Sequence, residues 1–204
     1  MLNYPSGQNP ARLNKQLGKQ AWTSRSKKSQ TNYGSRGASF EARLNDSNEY
    51  YLKQKLAVIH KKPTPIQVVK VDYPKRSAAK ITEAYYRHAS TTDYNGVYQG
   101  KYIDFEAKET KNKTSFPLSN IKEHQLTHML ACQEQGGIAF FLISFRSHRR
   151  VYLLPLNAII DFIHNEEQKS IPYSYICDHG FECPCPGLPA IDYLKALDQY
   201  MYRD

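Results

Sequence analysis

Asp93, Glu106 and Lys108 are the residues of this 204-residue chain whose types and spacing suggest chemistry. They fall in TTDYNGVYQGKYIDFEAKET, residues 91–110. Asn95-Gly96 and Gln99-Gly100 read as turn signals among Tyr, Val, Ile and Phe, which predicts a β-hairpin. After Gly100, Tyr102, Asp104, Glu106 and Lys108 fall on one face and Ile103, Phe105 and Ala107 on the other. Asp93, where the hairpin begins, reaches the Glu106–Lys108 face from the neighbouring strand. Two carboxylates so placed hold Mg²⁺ through hard oxygen ligands. The ion activates water and neutralises phosphate charge, and an adjacent lysine stabilises the pentacovalent state. That is the outfit of metal-dependent phosphodiester cleavage. A surface strand with a cross-strand ion pair has the same Glu-x-Lys spacing. The apolar back face and the acid on the preceding strand favour the catalytic reading.

The elements around these residues follow from pattern. Phe40, Leu44, Tyr51 and Leu52 predict a helix from Arg36 to about Leu56, with Glu41 in its first turns. Residues 57–61 read as a short strand. Residues 66–73 read as a strand that Pro74 ends. KITEAYYR after it fits helix or strand; Tyr85-Tyr86 and the approach to the Asp93 hairpin favour a strand. Residues 66–73 and 79–88 then form a basic antiparallel ribbon with its tip at 74–77. Ser119 or Asn120 caps a helix that Gly136-Gly137 ends, with Leu126, Met129 and Leu130 buried. His124, Gln125 and His128 lie early in that helix. GIAFFLISF, residues 137–145, is a buried central strand, 150–154 its partner, and 155–164 a helix. Residues 165–174 read as loop. Ile191, Tyr193, Leu194, Leu197 and Tyr200 mark a final amphipathic helix. The class is α/β, a mixed central β-sheet flanked by helices.

Length predicts one domain, residues 35–204, after a flexible arm at 1–34. Formal net charge is +9, and residues 1–40 carry seven basic and no acidic residues. Such a charge distribution favours a polyanionic partner. No apolar run is long enough for a membrane span, and the start of the chain lacks a secretory apolar core, which predicts a cytoplasmic protein with reduced thiols. Cys132 reads as a core residue of the helix that ends at 134. Cys177, His179, Cys183 and Cys185 carry zinc-ligand chemistry. Their Cys-Pro-Cys spacing is not the usual Cys-x₂-Cys knuckle, and they read as loop cysteines.

The run TTDYNGVYQGKYIDFEAKETKNKTSFPL resembles the core of RecU-type Holliday junction resolvases, in the PD-(D/E)xK nuclease superfamily. SRGASFE at 35–41, HKKPTPIQVVKVDYPKRSAA at 60–79, His124-Gln125 and PAIDYLKALDQY at 189–200 extend the resemblance; residues 177–185 depart from it. The resemblance implies a restriction-endonuclease-like core with a projecting stalk at about 62–80. It implies a homodimer that cuts four-way DNA junctions with Mg²⁺, in recombination and repair at the nucleoid, with contact to a recombinase. It assigns Asp93 and Glu106 as metal ligands and Lys108 as the catalytic lysine, and adds Glu41 and Gln125 as supporting catalytic residues. Arg36, Lys61, Lys62, Lys75, Arg76, Lys80, Lys111 and Lys113 are then the expected DNA contacts. Two rivals stay open: a nuclease acting on linear duplex, and a junction-binding accessory protein without catalysis.

Overall fold

In the computed structural model, residues 39–87 and 91–203 are described, apart from the side chain of Arg76. Arg36 and the arm at 1–34 lie outside the described residues. The described chain belongs to a compact unit that spans Arg36–Asp204.

A six-stranded mixed sheet organises this unit. Its strands are β1 (Ala57–Lys61), β4 (Tyr94–Tyr98), β5 (Lys101–Thr110), β7 (Ile138–Phe145), β8 (Arg150–Pro155) and β10 (Phe181–Glu182), in that spatial order. Only β5 and β7 run parallel. A parallel pair requires a crossover. The crossover here contains β6 (Ser115–Pro117) and helix α2 (Glu123–Glu134), so β5 delivers the chain to α2 directly.

Alternation on the strands divides the core between two faces. Phe140 and Leu142 of β7 join Ile103 and Phe105 of β5 on one face, beneath α1 (Phe40–Lys53) and α5 (Tyr193–Met201). Ala139, Phe141, Ile143 and Phe145 take the other, with Met129 of α2, α3 (Leu156–Asn165) and α4 (Tyr173–His179). Tyr94, Phe105 and Phe140 stack in sequence across three strands, with ring centroids 4.9 and 5.0 Å apart. This ladder fixes the register of β4, β5 and β7. The even positions of β5 thereby turn towards α2. There Asp104 and Glu106 are buried where an apolar pair would extend the core.

Several boundaries differ from the pattern-based expectation. Asn95-Gly96 lies inside β4, and the hairpin turns only at Gln99-Gly100, both at positive φ. Gly96 serves close packing instead: a Cβ there would lie 2.2 Å from the Val58 carbonyl oxygen. Helix α1 starts at Phe40 because the Ser39 side chain accepts the Ala42 N–H, and Lys55 at φ 58° follows its end. Leu52 is exposed. Ser119 and Asn120 lie in a 3₁₀ turn, and α2 begins at Glu123 with Gln125 and Met129 buried and Leu130 exposed. Residues 165–174 are not all loop: Ser170–Pro172 forms β9 against β6, and α4 starts at Tyr173. Cys177 is in α4, where its thiol meets the Tyr152 hydroxyl; Cys183 is buried, and Cys185 contacts Arg43. Cys132 is half-buried beside His128.

The ribbon forms a separate two-stranded sheet, β2 (Ile66–Asp72) with β3 (Lys80–Tyr86), closed by a 3₁₀ turn at Arg76–Ala78. Its strands lie within the expected 66–73 and 79–88, and every residue of both is exposed.

Gly96→Ala forces Val58 and β4 apart, because the Cβ meets main chain that has no rotamer to escape into. Denaturant unfolding will show a loss of about 1–3 kcal/mol, the usual cost of overpacking.

Candidate active site

The sheet register alone brings the first carboxylates together. Tyr94 pairs with Phe105, so Asp93, one residue before β4, stands opposite Glu106. The Asp93 N–H donates to Glu106 Oε2 at 3.0 Å. Lys108 lies two residues further along the same face of β5, and its Nζ donates to Glu106 Oε1 at 2.8 Å. The third partner comes from α2. Gln125 uses its Oε1 to accept the Lys122 N–H at 3.0 Å, tying off the first turn of the helix, which leaves Nε2 to donate to Glu106 Oε1 at 2.6 Å. Asp93, Glu106, Lys108 and Gln125 therefore meet around one buried carboxylate.

The carboxylate of Glu106 is held in an expensive place. Burial pushes its pKa up to about 7, and the charge of Asp93 pushes the same way, against the opposing effect of Lys108. Two carboxylates that repel across a buried space, with an amide beside them, fit a divalent cation with hard oxygen preference. Asp93 and Glu106 are the residues that would hold it, with Gln125 orienting Glu106.

Glu41 stands at the border of this group. It is exposed at the start of α1 and forms a short ion pair with Lys61. Its charge and that of Asp93 both reinforce burial in raising the Tyr94 pKa, so both carboxylates lie near that hydroxyl. Lys75, Lys80, Lys111 and Lys113 are exposed, the first two on the ribbon and the last two after β5. Lys62 is different. Its Nζ donates to Asp104 Oδ2 at 2.8 Å and to Thr92 Oγ1 at 2.9 Å, in a pair whose Asp104 side chain is fully buried.

Asp104, Thr92 and His128 had no role from pattern alone. The alternation of β5 already placed Asp104 on the Glu106 face. Its partner Lys62 is 42 residues away in sequence, so no local spacing announces the pair. Asp104, His128 and Cys132 bring one ligand atom each within 4.8 Å of one another. That mixed oxygen, nitrogen and sulfur set suits a softer cation than Mg²⁺, and Lys62 already supplies positive charge at the same carboxylate oxygen. Cys177, His179, Cys183 and Cys185 do not gather into such a set among the described residues.

Comparison with known proteins shows the family. The family model described as Recombination protein U matches residues 35–199. The chain belongs to the RecU family of Holliday junction resolvases. A Lactococcus lactis protein named Holliday junction resolvase RecU is 51% identical over 98% of each chain. RecU proteins of Lactobacillus acidophilus and Streptococcus sanguinis are 48% and 56% identical, over 98% and 82% of this chain and 97% and 84% of theirs. Among solved structures, the Holliday junction resolvase Hjc of Archaeoglobus fulgidus aligns at a TM-score of 0.40 and 8% identity, over 67% of this chain and 93% of that one. No helix among the described residues is long and apolar enough to cross a membrane.

The raised Glu106 pKa has a signed consequence for folding. An unfolded Glu loses its proton near pH 4.5, before the folded one does, so this group favours the fold most below that pH. In EDTA, stability will fall as pH rises from 4.5 to about 7, by on the order of 3 kcal/mol from this group. Glu106→Gln will flatten that part of a thermal-unfolding profile. An unchanged profile would mean that Glu106 ionises as an ordinary carboxylate.

Proposed function

We propose that this chain resolves four-way DNA junctions by Mg²⁺-dependent phosphodiester hydrolysis, as a homodimer that places paired, symmetrical nicks. The observation that carries the chemistry is Glu106: buried, raised in pKa, and faced by Asp93, Lys108 and Gln125. A divalent cation bound there supplies positive charge against the scissile phosphate and makes water a stronger nucleophile. The residues of the chain do the rest. Asp93 and Glu106 provide the carboxylates. Gln125 fixes the rotamer of Glu106 from α2, and the Asp93 N–H fixes it from the residue before β4. Lys108 holds its ammonium two residues along β5, where it stabilises charge that develops on the phosphate. Glu41 supports the site from its rim.

Substrate selection rests on charge and shape. Lys75, Arg76 and Lys80 lie on the ribbon, Lys61 at its approach, and Lys111 and Lys113 after the catalytic strand; with Arg36 they bind the phosphates. A basic ribbon enters the open centre of a four-way junction, which linear duplex does not offer. Dimerisation is supported by the ribbon's apolar side chains. Ile66, Val68, Val71, Tyr73, Ile81 and Tyr86 are all exposed. A two-stranded ribbon is marginal alone, and a second copy related by a two-fold axis would cover these residues and set two sites against two strands. Work on DNA places the protein in the cytoplasm, at the nucleoid. Contact with a recombinase is an expectation from family resemblance.

The deciding experiment is cleavage of an end-labelled four-way junction and its matched linear duplex, each with Mg²⁺ or EDTA. Symmetrical nicks in the junction alone, with Mg²⁺ alone, are the expected result. Equal cutting of the duplex would support the linear-duplex rival, and binding without nicks the accessory-protein rival.

Asp93→Ala and Glu106→Ala will each lower junction cleavage by about a thousandfold or more, some 4 kcal/mol of barrier, while junction affinity in EDTA changes little. Lys75→Ala with Lys80→Ala will do the reverse. Binding will weaken, and the log–log slope of its salt dependence will shrink by up to about 0.9 for each phosphate that is no longer neutralised.

A further inference from the structure

Lys62 sits where the ribbon is inserted into the fold. It follows β1 directly, and residues 63–65 lead into β2. The chain returns from β3 to Thr92 and Asp93 before β4. Lys62 touches both returning residues. Its main-chain N–H donates to the Asp93 carbonyl at 2.7 Å, and its Nζ donates to Thr92 Oγ1 at 2.9 Å. One residue thus staples the two ends of the insertion together.

The same ammonium is anchored in the sheet. It lies 2.8 Å from Oδ2 of Asp104, which also accepts the Tyr102 hydroxyl at 2.8 Å and lies 3.3 Å from His128 Nε2. Asp104 Oδ1 accepts the Thr92 hydroxyl in a short hydrogen bond. Asp104 is two residues before Glu106 on the same face of β5. The Thr92-Asp93 segment is therefore held from three directions: by Asp104 through Thr92, by the Lys62 main chain, and by Glu106 through the Asp93 N–H. A lysine in this setting is poorly placed to bind phosphate. Its side chain is 17% exposed, and swinging it towards DNA would strand a buried carboxylate.

We propose that Lys62 is a positioning residue. Its buried pair with Asp104 and its bond to Thr92 fix the segment that carries Asp93, and with it the spacing of the Asp93 and Glu106 carboxylates. The proposal rests on the reading of those two carboxylates as the cation ligands. It takes Lys62 out of the set of DNA contacts and ties the root of the ribbon to the cation site.

The test is Mn²⁺ binding to the DNA-free protein, followed by electron paramagnetic resonance, together with the salt dependence of junction binding in EDTA. Lys62→Met will weaken Mn²⁺ binding by about tenfold or more, the scale seen when support behind metal ligands is removed, and leave the salt slope unchanged. Thr92→Val keeps every charge and will weaken Mn²⁺ binding in the same direction; it decides the matter if Lys62→Met does not fold. Unchanged Mn²⁺ binding with a salt slope reduced by about 0.9 would make Lys62 a phosphate ligand and overturn the proposal. Unchanged values of both would overturn it as well. Asp93→Asn and Glu106→Gln serve as references. If they abolish Mn²⁺ binding and Lys62→Met and Thr92→Val do not alter it, the positioning role alone fails. If the references also leave it unchanged, the cation site itself is elsewhere.

Discussion

Two carboxylates buried two residues apart on one strand are the constraint that the rest of this structure answers to. Asp104 and Glu106 lie on the α2 face of β5, which further along the sheet is lined by Phe141, Ile143 and Leu154. An ionised carboxylate is costly in such surroundings unless it is paired and hydrogen-bonded. The fold treats the two differently. Asp104 receives Lys62, Thr92, Tyr102 and His128, enough to satisfy both oxygens. Glu106 receives Lys108, Gln125 and one main-chain N–H, yet shares its space with Asp93, and its pKa stays high. One site is closed electrostatically by the protein's own cation. The other, with two carboxylates facing one lysine, is left short of positive charge, which suits the cation proposed for it.

That division explains why the supporting elements lie where they do. The aromatic ladder of Tyr94, Phe105 and Phe140 sits on the opposite face of the same strands and locks their register. A one-residue slip of β5 would exchange the two faces and send Glu106 into the apolar core. The parallel β5–β7 pair then forces a crossover, and the crossover supplies α2. Gln125 and His128, three positions apart on that helix, descend on Glu106 and Asp104 respectively. Helix and strand thus pair their polar positions one to one.

How far this was legible in the sequence depended on distance along the chain. The Asp93, Glu106 and Lys108 grouping followed from strand alternation, because two of the three share a strand and the third opens its hairpin partner. The buried strand followed from a continuous apolar run at 137–145. The second strand of the ribbon, with a pattern that fits helix or strand, rested on Tyr85-Tyr86, on the approach to the next hairpin and on the family resemblance. Signals that serve two purposes misled. Asn-Gly is the strongest short turn signal, yet Gly96 is needed mid-strand so that the Val58 main chain can approach. Ser119 and Asn120 look like helix caps but lie in the 3₁₀ turn before α2, whose first turn is tied off by Gln125. Leu52 and Leu130 completed apolar stripes on paper and face solvent in the fold. The Lys62–Asp104 pair was out of reach, because a lysine in a Lys-Lys-Pro run reads as surface charge until the strand 42 residues on is brought beside it.

The insertion point of the ribbon follows from the same electrostatics. A two-stranded sheet with every residue exposed takes little stability from the body of the protein, and its orientation is set at its root. The root is made of the Pro65 carbonyl bonded to Arg87 and of the Lys62 clamp on Thr92 and Asp93. Lys62, which closes the ribbon, and Asp93 share a main-chain hydrogen bond. Binding energies linked through a shared element are reciprocal. If junction engagement raises the affinity of the proposed cation site through this root, an occupied cation site raises the affinity for the junction by the same factor. On the proposed roles, the ribbon and the carboxylate of Asp93 are joined at that root, and no contact through the core is needed to link them.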